Sequence, residues 1–230
     1  MIPRTMFRSA LVTVLALAAL AAVAPVANAQ SEQQKLVAAS EKTFSNFLRD
    51  PDMAWFQQRV GRAKALLIAP EIVKAGFIFG GSGGRAILVA RDPRTGKWVG
   101  PAFYTLATAS VGFQAGVAVS ETITLVMTDK GMNSLLASTF KMGGDASVAA
   151  GPVGAGAKSD VVADLVAFSR SKGVYGGLNL DGTIVKTADD WNAAYYGRKV
   201  LPPAILVRAN VHSAGAAKLL AEIAKAAGTR

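Results

Sequence analysis

The 230-residue chain contains no cysteine and a single histidine, His212. Those two shortages exclude a good deal of chemistry. Zinc sites built on Cys or paired His, Cys-His nucleophilic catalysis and disulfide cross-links all need residues that are not there. A Ser-His-Asp triad would have to use His212 as its base, and no Gly-x-Ser-x-Gly elbow occurs. His212 instead adjoins Ser213, a helix-capping residue type, which suits a local hydrogen bond or a solvated position. Acids are scarce too, 15 against 25 Lys and Arg. Carboxylate-pair catalysis would rest on Glu121, Asp189 and Asp190. Adjacent Asp residues at a helix start ordinarily serve as caps and dipole partners. No cofactor, no metal site and no enzymatic activity are expected.

Long apolar runs are confined to the first thirty residues. Arg4 and Arg8 form a positive segment, Ala10 to Val23 is almost wholly apolar, and Ala27-Asn28-Ala29 supplies small residues for cleavage. That layout predicts a secretory signal peptide over residues 1–29, with residues 30–230 as the exported domain. Its apolar stretch is short for a membrane span, which takes roughly 20 residues. Without cysteine, no lipid can be attached to a processed N-terminal Cys. The expected compartment is the periplasm, where a cysteine-free domain holds together by packing alone.

Loss of Arg4 and Arg8 with the signal lowers the net charge from +10 to +8. The remaining charge is concentrated. Arg59, Arg62, Lys64, Lys74, Arg85, Arg91, Arg94 and Lys97 face only Glu71 and Asp92 over the same stretch, a local net charge of +6. A basic surface favours anionic partners such as phospholipid headgroups. Export makes nucleic acid an unsuitable partner. These eight residues are the candidate lipid-binding set.

Helical periodicity marks Ser31 to Arg49, where Leu36, Val37, Phe44, Phe47 and Leu48 share a face and Asp50-Pro51 supplies a stop. A second helix is expected over Met53 to Ala63. From Ala65 the texture changes to short apolar runs punctuated by Gly, Pro and Asp, as in an antiparallel sheet or barrel. The expected strands are 65–68, 76–79, 85–91, 97–106, 110–119 and 122–128, then 161–168 and 174–185. Asp92-Pro93-Arg94-Thr95-Gly96 reads as a reverse turn and Ser171-Lys172-Gly173 as another. Helices are expected over 131–140, from a cap at Asp189 to Gly197, and after Ser213. Another apolar run covers Ala204 to Val207. The fold class is therefore α+β, a single domain with an antiparallel sheet or barrel-like core flanked by N- and C-terminal helices.

Two glycine-rich stretches fall short of phosphate loops. In Gly80-Gly81-Ser82-Gly83-Gly84-Arg85 the third glycine of G-x-G-x-x-G would fall on Ala86, and no βαβ unit follows. In Gly151 to Ser159 the inserted Ala157 separates Lys158 from the last glycine. Both read as turns and small-residue strands. The backbone N–H groups beside Arg85 offer a weaker alternative, an anion-binding nest.

Lys74-Ala-Gly-Phe-Ile-Phe-Gly-Gly-Ser-Gly-Gly-Arg85 resembles the SYLF domain. So do Asp92-Pro-Arg-Thr-Gly-Lys-Trp98, Gly100-Pro-Ala-Phe-Tyr104, Ala109-Ser-Val-Gly-Phe-Gln114, Leu125-Val-Met-Thr-Asp-Lys-Gly131 and Ser169-Arg-Ser-Lys-Gly-Val-Tyr175. The segments keep the family's order from about Arg62 to about Val207. The resemblance implies a non-enzymatic, phosphoinositide-binding type of module; some eukaryotic members also bind and bundle actin. In eukaryotic members a basic amphipathic N-terminal helix contributes to membrane contact. Here the corresponding helix mixes Lys35, Lys42 and Arg49 with Glu32, Glu41 and Asp50. The expectation is an exported protein that binds anionic phospholipid or a membrane surface through the eight basic residues. The alternative is an envelope scaffold that binds a protein partner. Actin is not expected as a partner in the protein's own cell. Trp55, Phe56 and Trp98 are either core residues or interfacial anchors.

Overall fold

Glu32–Arg49 forms helix α1, with Glu32 in its first turn and Arg49 in its last, where each charge complements the helix dipole. Its buried stripe contains Val37, Ser40, Phe44 and Phe47. At the expected stop, the Asp50 carboxylate accepts from the Asp52 N–H at 3.0 Å, and Pro51 opens a 3-10 turn, Pro51–Met53. The anticipated second helix is split into α2, Ala54–Arg59, and a 3-10 turn, Val60–Arg62. The computed structural model describes residues 31–76, 79–111, 116–154, 161–172 and 180–228. The expected signal peptide lies outside them.

Eight strands follow: β1 (Ala65–Gly76), β2 (Phe79–Arg91), β3 (Trp98–Val111), β4 (Gly116–Val126), β5 (Thr139–Lys141), β6 (Val148–Ala150), β7 (Leu165–Lys172) and β8 (Ile184–Thr187). They build one sheet in the order β5-β8-β3-β2-β1-β4-β7-β6. Pairing is antiparallel except between β6 and β7. The central order 4-1-2-3 is a Greek key. The sheet is open, its edges being the three-residue strands β5 and β6.

The expected strands 65–68 and 76–79 differ from what the structure shows. Strand β1 runs on from Ile68 through Pro70 to Gly76. The two ends of the run 76–79 belong to separate strands, its middle lying outside the described residues. The register of β1 against β2 slips between Ile68 and Glu71, a bulge that absorbs a residue with no N–H to give. The bulge drives the Glu71 carbonyl towards β2, and a Cβ at Gly84 would collide with that oxygen. The glycine run therefore serves sheet geometry. Gly80 to Gly84 are paired with β1 on one side and β3 on the other, so their backbone groups belong to the ladder and form no anion nest.

Both faces of the sheet are covered. Leu66, Ile68, Ile87, Val89, Phe103, Ile123, Leu125 and Phe168 pack with α1, α2 and the C-terminal helix α6, Ala217–Ala226. The alternate residues, among them Leu67, Ile72, Leu88, Tyr104 and Leu106, pack with α3 (Asp129–Leu136) and α5 (Pro202–Leu206). Strand alternation sends neighbours to opposite faces, so a sheet buried on both sides reads as a continuous apolar run such as Ala65 to Ala69.

Several boundaries differ from expectation. Thr128 caps α3, its hydroxyl accepting from the Gly131 N–H at 3.0 Å, so that helix starts early and Phe140 falls in β5. Strand β7 runs four residues beyond Phe168, which places Ser171 and Lys172 in the strand rather than in a turn. The expected strand over 174–185 lies mostly outside the described residues, and β8 is its visible end. The middle of the run 110–119 also lies outside them; the structure assigns its two ends to separate strands. Asp189 and Asp190 sit in the first turn of α4, Asp189–Tyr196, behind Ala188 at the cap position. Gly197 ends that helix at φ +66°, a left-handed position suited to glycine. Ser213 caps the 3-10 turn Ala214–Ala216 that leads into α6. Among the described residues no helix is long and apolar enough to cross a membrane. The α+β expectation holds, with an open sheet as its core.

Candidate functional site

Where β1 begins and β2 ends, the chain leaves a cleft of about 460 Å³. The local backbone is held tightly there. The Lys64 N–H donates to the Val126 carbonyl at 2.8 Å, and its carbonyl accepts from the Arg91 N–H at 2.8 Å. Lys64 is thereby clamped between β4 and β2. Arg62 arrives on the 3-10 turn after α2, and Arg91 closes β2. The Arg91 side chain is braced by the Gly61 carbonyl, which accepts from Nη1 at 3.3 Å, and by Gly96 O, which accepts from Nε at 3.4 Å. Helices α3 and α5 complete the walls with Met132, Leu136 and Leu206, joined by Val207 just after α5.

Three cations thus line a cleft whose remaining surface is largely aliphatic. The carboxylate in the lining is Asp129, whose Oδ1 lies 2.9 Å from Lys64 Nζ. The imbalance leaves the cleft positive. Such a site fits an amphiphile with an anionic head, because the charges fix the head while the apolar wall shelters carbon. Among the described residues no group of His, Asp and Glu is arranged to hold a metal ion.

The eight predicted basic residues do not form one face. Arg62, Lys64 and Arg91 converge on the cleft. Arg94 and Lys97 lie on the adjoining turn, which reaches the cleft through Pro93. That turn is organised by buried Asp92. The Arg94 N–H, 2.8 Å from Oδ1, holds its carboxyl below the usual range, assisted by the Thr95 hydroxyl at 3.0 Å and the Arg94 charge. Arg59 stacks over Trp55, 5.0 Å from the ring centre. Lys74 and Arg85 lie beyond the bulge, Lys74 on the Ile72 face and Arg85 on the Ile87 face. Arg85 stacks 4.1 Å above Trp191 and donates to the Thr105 hydroxyl at 3.2 Å.

The aromatic residues considered as interfacial anchors are core. Trp55, Phe56 and Trp98 are all buried. Nor do the carboxylates form a catalytic pair. Asp189 and Asp190 are exposed on α4, whereas Glu121 on β4 is tied to Arg170 at 3.0 Å. His212 is exposed beside the cap Ser213, as its neighbourhood suggested.

Sequence reading missed Asp129, Met132, Leu136, Leu206 and Val207. They meet Lys64 only through the fold, and neither helix carries a local motif that announces a site.

The comparisons with known proteins bear on this arrangement. The family model described as Ysc84: Las17-binding protein actin regulator matches residues 107–227, more than half of the chain. The chain belongs to the Ysc84 (SYLF) family. It is 34% identical over 143 residues to LAS seventeen-binding protein 3 of Saccharomyces cerevisiae, covering 59% of this chain and 31% of that protein. It is 30% identical over 142 residues to the human SH3 domain-containing YSC84-like protein 1, covering 60% of this chain and 41% of that protein. The Xenopus laevis protein of the same name is 27% identical over 177 residues, 74% of this chain and 52% of its own length. The chain thus spans about a third to a half of these Ysc84-family relatives. The yeast protein is named for binding, and the family description names an actin regulator. No solved structure matches the chain.

Proposed function

We propose that the protein binds anionic phospholipid at the cleft, without catalysing a reaction, after export to the periplasm. The observation that carries this reading is the convergence of Arg62, Lys64 and Arg91 on a cleft walled by Met132, Leu136, Leu206 and Val207. The three cations meet the phosphate, and the aliphatic wall takes the first carbons beyond it. Each Lys or Arg near an anionic surface contributes about 1 kcal/mol, so the three together add about 3 kcal/mol to a reversible, salt-dependent attachment. Arg94 and Lys97 add charge at the rim; Arg59, Lys74 and Arg85 do not enter the site. The N-terminal layout of Arg4, Arg8 and an apolar run supports export. An exported chain does not meet the actin of its own cell, so lipid recognition is the transferable part of the family's behaviour.

A second reading has one observation in its favour: the yeast relative is named for binding LAS seventeen. In that reading this chain is an envelope scaffold, and its charge serves solubility.

Vesicle flotation separates the two. Retention on phosphatidylglycerol or cardiolipin vesicles that fades as salt rises, with none on phosphatidylcholine, supports the lipid reading. Equal and salt-independent behaviour on neutral vesicles refutes it.

A further inference from the structure

The segment after α4 carries a second concentration of positive charge, distant in sequence from the first. Between Asp190 and Glu222 the chain has no acidic residue, and Arg198, Lys199 and Arg208 flank the short helix α5. All three are exposed. Among the described residues none of them forms an ion pair, and Arg198 gives only one N–H, to the Asn210 carbonyl at 3.3 Å. At the two ends of α5 the apolar side chains of Leu201 and Val207 face solvent, 50% and 40% exposed. The residues between them divide differently: Pro202, Ile205 and Leu206 are buried. Val207, together with Leu206, also lines the cleft. The segment 198–208 therefore carries exposed apolar side chains and cations at both ends of α5, and its C-terminal end, Leu206 and Val207, also forms part of the cleft wall.

We infer that α5 and its flanks are the element that docks the protein on an anionic bilayer, with Leu201 and Val207 entering the interface beside the cleft. This rests on the lipid-binding reading of the cleft and adds the place where the bilayer is met. Two apolar side chains ringed by uncompensated cations suit a lipid surface, where carbon enters the acyl boundary and the cations stay among the headgroups. Continuity with the cleft through Val207 gives a headgroup a direct path from the bilayer to Arg62 and Lys64. Helix α1 is not required for this contact. Its apolar stripe is buried against the sheet.

The absence of cysteine makes the test direct, since a single introduced thiol takes all the label. An environment-sensitive fluorophore is placed at Leu201→Cys, and in a second variant at Ala38→Cys on the exposed side of α1. Vesicles of phosphatidylcholine with phosphatidylglycerol are added, and co-sedimentation is read in parallel. The expected result is a blue shift at position 201 and none at 38. The triple change Arg198→Gln, Lys199→Gln and Arg208→Gln, checked for fold by circular dichroism, weakens partitioning by about fivefold per charge removed. A protein that co-sediments with its 201 label still in water overturns this inference and leaves the cleft reading standing. A protein that does not co-sediment at all overturns both.

Discussion

Lys64 before β1 and Asp129 in the first turn of α3 face each other at the cleft, 2.9 Å apart. The pair is solvent-accessible, Lys64 at 44% and Asp129 at 84% side-chain exposure, so it contributes little to stability. In the proposed lipid-binding reading its consequence is functional, because Asp129 occupies a cation that an incoming phosphate would need.

Replacing the internal counter-ion should strengthen binding. Asp129→Asn leaves Lys64 free and is expected to raise affinity for phosphatidylglycerol vesicles by about fivefold, the worth of one cation near an anionic surface. The change in unfolding free energy should stay within about 1 kcal/mol. Titration of vesicles by fluorescence or co-sedimentation checks the first, and urea denaturation the second.

On the other side of the molecule, Arg170 ties three elements together. Its Nε lies 2.7 Å from Asp50, its Nη1 lies 3.0 Å from Glu121, and Glu121 also accepts from Asn46 Nδ2 at 3.1 Å. Glu121→Ala removes the shared acceptor and should cost about 1–3 kcal/mol in stability. Vesicle affinity should not change, since these residues do not line the cleft. Thermal unfolding with vesicle titration on the same sample checks both expectations.

Gly84 is the residue on which the bulge depends. A Cβ there meets the Glu71 carbonyl, which the central sheet holds in place. Gly84→Ala is expected to destabilise by about 1–3 kcal/mol, the range for overpacking a closed site. Gly96, which has open space around its Cβ position but φ +72°, tests the other role of glycine. Gly96→Asn should be tolerated better than Gly96→Val, because Asn adopts the left-handed region more readily. Melting temperatures of the three variants are the measurement.

Asp164 contributes to the acid sensitivity of the fold. The Thr128 hydroxyl at 2.6 Å, followed by the N–H and hydroxyl of Ser147, pulls its carboxyl down to about 2. A folded-state value depressed below the unfolded one adds stability that is full above the ordinary carboxylate range and disappears as pH falls. The loss attributable to Asp164 should therefore fall between about pH 4 and pH 2. In Asp164→Asn the stability lost over that window should be smaller, and stability at neutral pH lower. Denaturant titrations at stepped pH read the difference.

Much of the fold was legible because its signals are local. The stop at Asp50-Pro51, the turn at Asp92 to Gly96 and the glycine after Tyr196 each act within a few residues, and the structure keeps all three. What failed depended on partners distant in sequence. The expected strand 65–68 stops short because only pairing on both sides shows that the chain continues past Pro70 through a bulge. The anion nest considered beside Arg85 is ruled out only by the pairing of Gly80 to Gly84 with β1 and β3. The site divides in the same way. Basic residues crowd one stretch of sequence, but strand alternation sends Lys74 and Arg85 to opposite faces while Arg62, Lys64 and Arg91 meet. No local pattern connects them to Leu206 or Asp129. Charge density gave the neighbourhood, and topology decided the members.

The most direct test compares two double variants of equal charge loss against phosphatidylglycerol vesicles at fixed salt. Arg62→Gln with Lys64→Gln removes cations at the cleft; Lys74→Gln with Arg85→Gln removes two that lie away from it. The cleft pair should lose most vesicle affinity, on the order of 20-fold for two cations, while the outlying pair stays within about threefold of wild type. Equal losses from the two pairs would contradict a site at the cleft and leave net charge alone as the cause of binding.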